Sequence, residues 1–407
     1  MTGESLARLM GIVGWKVKGE PLFCEGKEGP HVMMELVREQ SEYKCPCGRQ
    51  FTRYYDGEYR EVRDLSWGLW GLSLLFYQVR VECPECGVKT EHLEWLTPGQ
   101  RYTKRFATFV AGFCRLASVK AVADYLGLDW KTVKRIDKEA LELELDPPNL
   151  EGLRLLAVDE IAIKKGHKYA TVVLDFETRR VVWVGEGHST ETLSNFYKLL
   201  GKERCEQIAA VAMDMWPAFE NATREYCPEA EVVFDKFHVV GHFSKVLDQV
   251  RNAEIKRARK EDKPVFKGTK YLLLRNSNKL APKQKGRLQE LLNLNESLNT
   301  VYILKEDLKQ LWDFREIKDA WKFFMDWYQT AMASKIQPLQ RMARMLRKHW
   351  QGLSAHCLYP IHTSVLEGVN NKAKVIKRVA FGYLDSAYFF LKLRQAFPGK
   401  HIPSVTY

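Results

Sequence analysis

From Leu153 onward the apolar residues come in short, nearly unbroken runs: LRLLAVDEIAI, YATVVLDF and RVVWVGEG. Runs of this length, rich in Val and Ile, read as buried strands rather than helices. A helix-like stretch follows (ETLSNFYKLLG), then a strand (QIAAVAMD), a helix (AFENATREY) and a last strand (EVVFD). Strands interleaved with helices predict an α/β layer. From about Phe237 to Trp350 the pattern turns helical and strongly basic, and from about Thr363 it is helical again. Upstream, residues 101–146 read as helices, and residues 1–100 mix strand-like runs with paired cysteines. Asp146-Pro147-Pro148-Asn149 breaks the chain, because consecutive prolines stop a helix and stiffen a linker. The expected division is 1–100, 101–146, 150–236, 237–355 and 356–407.

The chain has 407 residues, 45% of them hydrophobic, enough for several folded domains. Its net charge of +12 favours a polyanionic partner, nucleic acid or anionic membrane, although a soluble basic enzyme fits as well. The longest uncharged apolar stretch, Leu65–Val79, is 15 residues and contains two glycines. A bilayer span takes roughly 20 residues, so this stretch reads as buried strands and no membrane partner is expected. The opening MTGESLARLM lacks a secretory pattern. A cytoplasmic protein is therefore expected, its nine cysteines reduced or bound to metal.

Cys45-Pro-Cys47-Gly and Cys83-Pro-Glu-Cys86-Gly are two tight turns that supply four thiolates, the donor set of a structural zinc site. The competing readings are buried thiols without metal and a redox CxxC, the latter without a thioredoxin-like βαβ setting. Cys24, Cys114, Cys205, Cys227 and Cys357 are scattered and read as core residues.

Residues 118–137, SVKAVADYLGLDWKTVKRID, have the shape of a helix-turn-helix. Ser118 caps a first helix with Val119, Val122, Ala123 and Leu126 inward, Gly127 permits the turn, and Asp129 caps a second helix with Val133 and Ile136 inward. Trp130, Lys131, Thr132, Lys134 and Arg135 then face outward; Lys131, Thr132, Lys134 and Arg135 suit phosphates and base edges in a major groove. An ordinary helical hairpin with a solvated basic face has the same pattern.

Three carboxylates stand out by position. Asp159 lies in the first strand of the α/β region, Asp214 ends a later strand, and Glu367 opens the last helical region. Carboxylates at strand ends open into the crevice where such sheets bind ligands. They need pairing, which two Mg²⁺ ions, with Mn²⁺ as a substitute, would supply. Asn371, Lys374 and Arg378 follow Glu367 at i+4, i+7 and i+11 and share its face. Glu160 is expected to point away from Asp159. Asp235 ends an apolar strand as a helix cap or beside the ions, and His238 reads as a packed or DNA-contacting residue. Trp216 is either a core aromatic or a platform for an unpaired base. Any one strand-end aspartate is more often a turn or cap residue; the three together make the case.

These features resemble the ISL-three family of bacterial insertion-sequence transposases along nearly the whole chain. The resemblance runs through LMGIVGWKV, the turns CPCG and CPEC, the helix-turn-helix, AVDEIAIKKGHKYATVVLD, AVAMDMWPAF, VVFDKFHVV, YLLLRN and LEGVNNKAKVIKRVAFGY. The CxC spacing in place of CxxC departs from the family pattern. The resemblance implies an RNase H-like core with a helical insertion, and a DDE triad at Asp159, Asp214 and Glu367. It further implies binding of terminal inverted repeats in double-stranded DNA, cleavage and strand transfer, and a homodimer or larger assembly on DNA. A domesticated DNA-binding protein without chemistry, or an RNase H-like nuclease without strand transfer, remains open.

Overall fold

Alternation of buried and exposed residues builds the first of two units, Met1–Glu144, in the computed structural model. The residues described are 3–26, 29–97, 99–164, 166, 168–258, 266, 268–274 and 280–399. Arg259 and Lys260 of the run RNAEIKRARK, Arg275 and Asn276 of YLLLRN, and Lys165 and His167 lie outside them. After α1 (Gly3–Leu9) come β1 (Trp15–Gly26) and β2 (Gly29–Arg38), a short hairpin of β3 (Tyr43–Lys44) and β4 (Gln50–Phe51), then β5 (Asp56–Trp67), β6 (Trp70–Cys83) and β7 (Gly87–Thr90). The main sheet has the order β1-β2-β6-β5, with β7 also on β6. Only β2 and β6 pair in parallel. Val32, Met34 and Leu36 of β2 and Leu72, Leu74 and Phe76 of β6 turn to one core with Met10, Ile12 and Trp15. The Leu65–Val79 stretch is thus parts of two strands.

Three helices complete this unit: α2 (Lys104–Leu116), α3 (Val119–Leu126) and α4 (Trp130–Leu145). The Ser118 hydroxyl accepts the Ala121 N–H at 3.2 Å, and Asp129 accepts the Lys131 N–H at 2.7 Å. Gly127 makes the turn at φ 62°, where a side chain would be strained. Val122, Ala123, Val133 and Ile136 pack with Tyr102, Phe106 and Val110.

The second unit begins at Leu145 and holds the α/β layer. Its strands are β8 (Leu155–Lys164), β9 (Lys168–Asp175), β10 (Arg180–Glu186), β11 (Ala210–Met213) and β12 (Glu231–Phe234), in the order β10-β9-β8-β11-β12. The first three form an antiparallel meander, and β11 and β12 run parallel to β8. Both faces are covered, which explains the unbroken apolar runs. On one face Val158, Val173, Val211, Met213 and Phe234 meet α5 (Thr190–Leu200) and α7 (Pro217–Tyr226), with the short α6 (Lys202–Cys205) between them. The same core continues into the basic helical region: α8 (Lys236–Arg257), α9 (Lys270–Leu274), α10 (Pro282–Asn293), α11 (Glu296–Leu308), α12 (Ile317–Ala333), α13 (Gln337–Lys348) and α14 (Trp350–Ser354). On the other face Ala157, Ile161, Ala212 and Val233 meet α15 (Ser364–Val379) and α16 (Ser386–Ala396).

The end of β12 is fitted closely against α14. A Cβ built on Gly352 would stand 2.5 Å from the Phe234 ring, inside any tolerable contact. Gly352→Ala should therefore destabilise the second unit by about 1–3 kcal/mol through overpacking. Urea denaturation followed by tryptophan fluorescence measures this, and an unchanged midpoint would contradict the tight fit.

Candidate functional site

The strand register decides which carboxylates share a face. Ala212 of β11 pairs with Ala157 of β8, and Met213 pairs with Phe234 of β12. Two residues further along parallel strands, Asp159 and Asp214 stand side by side, and Asp235 follows on β12. Residues of the same parity, Ala157, Ala212 and Val233, belong to the core beneath α15, so all three carboxylates lie on the α15 side.

Helix α15 is fastened across these strand ends by side chains. Thr363, just before the helix, donates its hydroxyl to the buried carboxylate of Asp235. Asn370 donates from Nδ2 to Asp159 Oδ2 at 3.0 Å. Lys377 donates from Nζ to the carbonyl oxygen of Ala162. Leu366, Val369 and Ala373 fill the apolar contact between these anchors. Glu367 is left exposed beside an open cleft of about 210 Å³ lined by Asp159, Glu160, Phe237, His238, Thr363, Ser364, Glu367 and Asn370.

Asp159 is 9% exposed, and burial pushes its carboxyl above the ordinary range. His238, the Glu160 N–H and the Asn370 amide pull the other way by favouring the charged form. Its Oδ1 accepts the Glu160 N–H at 2.8 Å. Asp214 accepts the Met215 N–H at 2.6 Å, and its Oδ2 lies 3.4 Å from His238 Nδ1. His238 thus bridges Asp214 and the cleft. The Asn370 Oδ1 atom is buried and has no hydrogen-bond partner among the described residues. Apart from the His238 imidazole, the donors around the cleft are oxygens, which suit a hard divalent cation, and the Asn370 oxygen adds a neutral one.

Asp159 and Glu367 reach the cleft, and Asp214 joins them through His238. Their oxygens do not crowd together. Among the described residues, the only metal-ligating group of three or more with all atoms within 4.8 Å is the four cysteines. Asn370 and Thr363 are site residues that the sequence reading passed over, and His238, read there as packed or DNA-contacting, faces Asp214. Asn370 borders the apolar stripe of α15, a signal that separates it from Asn371, which is exposed. Lys374 and Arg378 are exposed as expected. Glu160 borders the cleft next to Asp159, and its carboxylate lies 3.2 Å from His188 Nδ1. Trp216 is 43% exposed; its ring stacks on His188 and its Nε1 donates to the His188 carbonyl at 3.0 Å.

In the first unit, Cys45, Cys47, Cys83 and Cys86 converge so that all four sulfurs lie within 4.8 Å of one another, a group that can hold a metal ion. Cys47 Sγ and Cys83 Sγ are 3.8 Å apart. The N–H groups of Cys86 and Glu85 hold the Cys83 thiol down at about 7, whereas a hydrogen bond with Cys47 pushes Cys86 up to about 12. Gly48 and Gly87 follow the two turns at φ 95° and 70°. Cys114, Cys205 and Cys227 are buried and Cys357 is half-buried, but Cys24 is exposed on β1 and is no core residue. On α4, Lys131 and Arg135 are exposed and Thr132 and Lys134 half-buried; the Arg135 guanidinium lies 5.9 Å from the Tyr102 ring centre. No described helix is long and apolar enough to cross a membrane.

Comparison with known proteins agrees with this layout. A transposase family model matches residues 156–393, the region of the cleft. The helix-turn-helix domain of transposase family ISL3 matches residues 91–141. The transposase for insertion sequence element IS1001 of Bordetella parapertussis is 40% identical, over 87% of this chain and 88% of its own length. The transposase for insertion sequence element IS1557 of Mycobacterium tuberculosis is 28% identical, over 87% of each chain. With both of its working parts matched in chain order, the protein belongs to the ISL3 family of insertion-sequence transposases.

Proposed function

We propose that this transposase cuts the ends of its insertion sequence and joins them to target DNA at the cleft under α15, with Asp159, Asp214 and Glu367 as the catalytic carboxylates. The observation that carries this reading is the register that sets Asp159 and Asp214 side by side beneath the helix bearing Glu367. A sheet of three antiparallel strands continued by two parallel ones is the RNase H-like core of this reading, interrupted by the helices α8–α14.

Two Mg²⁺ ions, or Mn²⁺ in their place, held by Asp159, Asp214 and Glu367 would supply Lewis-acid charge and a water-derived nucleophile. The wide spacing of the carboxylates fits a pair of ions. With ions about 3.5–4 Å apart and bonds of about 2.1 Å, outer ligands stand as much as about 8 Å from one another. Asn370 and the Glu160 N–H orient Asp159, and His238 holds Asp214. Attack of water on a phosphodiester at the element's end frees a 3′-hydroxyl, which then attacks the target strand. Lys374 and Arg378 neutralise phosphates beside the cleft, Asn371 contacts the backbone there, and Arg341, Arg344 and Arg347 of α13 extend the cationic surface. Lys131, Thr132, Lys134 and Arg135 of α4 read the terminal inverted repeats in the major groove. Because two ends are joined, a dimer or larger assembly forms on DNA.

The cysteine cluster is a structural zinc site in this reading. Four sulfurs at about 2.3 Å from a tetrahedral ion stand about 3.8 Å apart, and Cys47 and Cys83 have that separation. The short CxC turn is therefore no obstacle to the geometry.

Asp159→Asn, Asp214→Asn and Glu367→Gln should each lower Mg²⁺-dependent nicking of a duplex carrying the DNA that flanks the gene by about a thousandfold or more, while binding in a mobility-shift assay stays within about twofold of wild type. Retained cleavage by any of them overturns the assignment. Nicking without joining to a second duplex marks a simple nuclease, and binding without nicking by the intact chain marks a domesticated binder.

Asn370→Ala should have a smaller effect, about 10- to 100-fold on nicking, as expected of a residue that orients a ligand. A rate equal to wild type would remove Asn370 from the site. For the cysteine cluster, elemental analysis should find about one zinc per chain. Stripping it with a chelator should expose β3, β4 and β7 to hydrogen exchange and release DNA. A chain that is metal-free as purified and binds DNA unchanged would contradict the zinc reading.

A further inference from the structure

We propose that Phe381 and Leu384, in the turn after α15, form an apolar wedge that enters the DNA duplex between base pairs and kinks it. This rests on reading the α15 cleft as the site of DNA cleavage.

The turn is built at conformational expense. Phe381 N–H donates to the Arg378 carbonyl at 3.1 Å and Gly382 N–H to the Lys377 carbonyl at 2.9 Å. This paired closure of a helix end places a left-handed residue at the position of Phe381, whose φ is 54°. Glycine takes that conformation without penalty, and glycine is the next residue in the chain. The phenylalanine ring returns nothing to the fold, since Phe381 is 96% exposed. Leu384 is 95% exposed, and the half-exposed Val375 and Val379 lead up to the turn along the helix. Single exposed apolar residues are ordinary; a strained aromatic and an exposed leucine in one four-residue turn are not.

The surrounding charge names the occupant. At helical spacing Lys374 and Arg378 flank the Val375–Val379 strip on one side and Lys372 flanks it on the other; Glu367 is the only carboxylate in α15. A second copy of this chain would bring the same cations and a net charge of +12 against the patch. DNA offers what the patch lacks: anionic phosphates for the lysines and arginine, and an apolar interior of stacked bases for the ring. Side chains inserted at a base step unstack it and bend the duplex. Glu367 and Phe381 are 381 − 367 = 14 residues apart in sequence. That is about 20 Å of helix at ~1.5 Å per residue, or about six base pairs at ~3.4 Å each.

The test uses the full chain, Mg²⁺ and duplexes of the DNA flanking the gene. 2-Aminopurine is placed singly at positions about four to eight base pairs from the nicked bond, spanning the distance given by the helix rise. The wild-type chain should brighten one step several-fold, and Phe381→Leu should keep much of that signal. Phe381→Gly should abolish the signal and weaken binding roughly tenfold. Its Tm should be unchanged or about 2–4 °C higher, because glycine is preferred at this position, so the lost signal is not lost folding. Nicking with no bright step, or a bright step that persists in the Phe381→Gly, Leu384→Ala double variant, overturns the wedge. So does a change in the oligomeric state of DNA-free protein when both side chains are removed, which would mark a protein interface. A bright step without any nicking supports the wedge and instead removes the cleavage reading.

Discussion

The hydrogen bond from Asn370 to Asp159 joins residues 211 positions apart and sets the geometry of the cleft. Parallel pairing brings Asp159 and Asp214 to the same level of the sheet with no help from the rest of the chain. Glu367 has no such guarantee. It belongs to a helix, and a helix laid on a sheet can slide and roll unless something fixes both. The contacts Thr363–Asp235, Asn370–Asp159 and Lys377–Ala162 lie near the start, the middle and the last turn of α15. Each polar anchor is also a buried or half-buried group that would be costly to leave unpaired, so misplacement of the helix is resisted at three points. The contact at Asp159 has a second effect. It favours the charged form of a carboxylate that burial disfavours, and so offsets part of the cost of burial.

This arrangement explains which parts of the site were legible in the amino-acid sequence. The strands were legible because both sheet faces are covered, which leaves uninterrupted Val-, Ile- and Ala-rich runs, and Asp159 stood out as a charged residue inside such a run and Asp214 at the end of one. The first helix-turn-helix helix was legible because Ser118 and Gly127 act locally, through a cap and a left-handed turn. Asn370, Thr363 and His238 were not, because their roles come from pairing across more than a hundred residues in the first two cases and from the packing of α8 onto the sheet in the third. The contrast between Asn371 and Asn370 is instructive. Both flank Glu367 in projection, one on each side, and only the roll of the helix decides between them. That roll is set by Leu366, Val369 and Ala373, and Asn370 lies on their side.

Cys24 and the core alternative for Trp216 failed for a different reason. Tryptophan and cysteine are core residues by average tendency, and tendency says little about a residue at an element end or on an edge strand. Trp216 precedes α7 and packs on His188, which in turn sits beside Glu160 at the cleft. Glu160, His188 and Trp216 thus form one connected group beside the cleft. The pairing of β8 with β9 is regular from Leu156 to Ala162, and Glu160 borders the cleft as the chain neighbour of Asp159.

The sequence of α15 can now be understood as several separate demands on one helix. Its inner stripe is apolar to hold the sheet; its border carries Asn370 and Lys377 to fix the roll; its outer face carries Glu367, Asn371, Lys374 and Arg378. A rigid rod that is pinned to the sheet also fixes the position of whatever stands at its end. Flexible attachment would let an inserted side chain find the duplex anywhere along its length, and would separate bending from the cut. With α15 anchored at Asp159 and closed by the turn at Phe381, the proposed cleavage site and wedge would be separated by a distance that the helix rise sets through the number of residues between them. On this argument the length of α15 is as much a part of the active site as the carboxylate it carries.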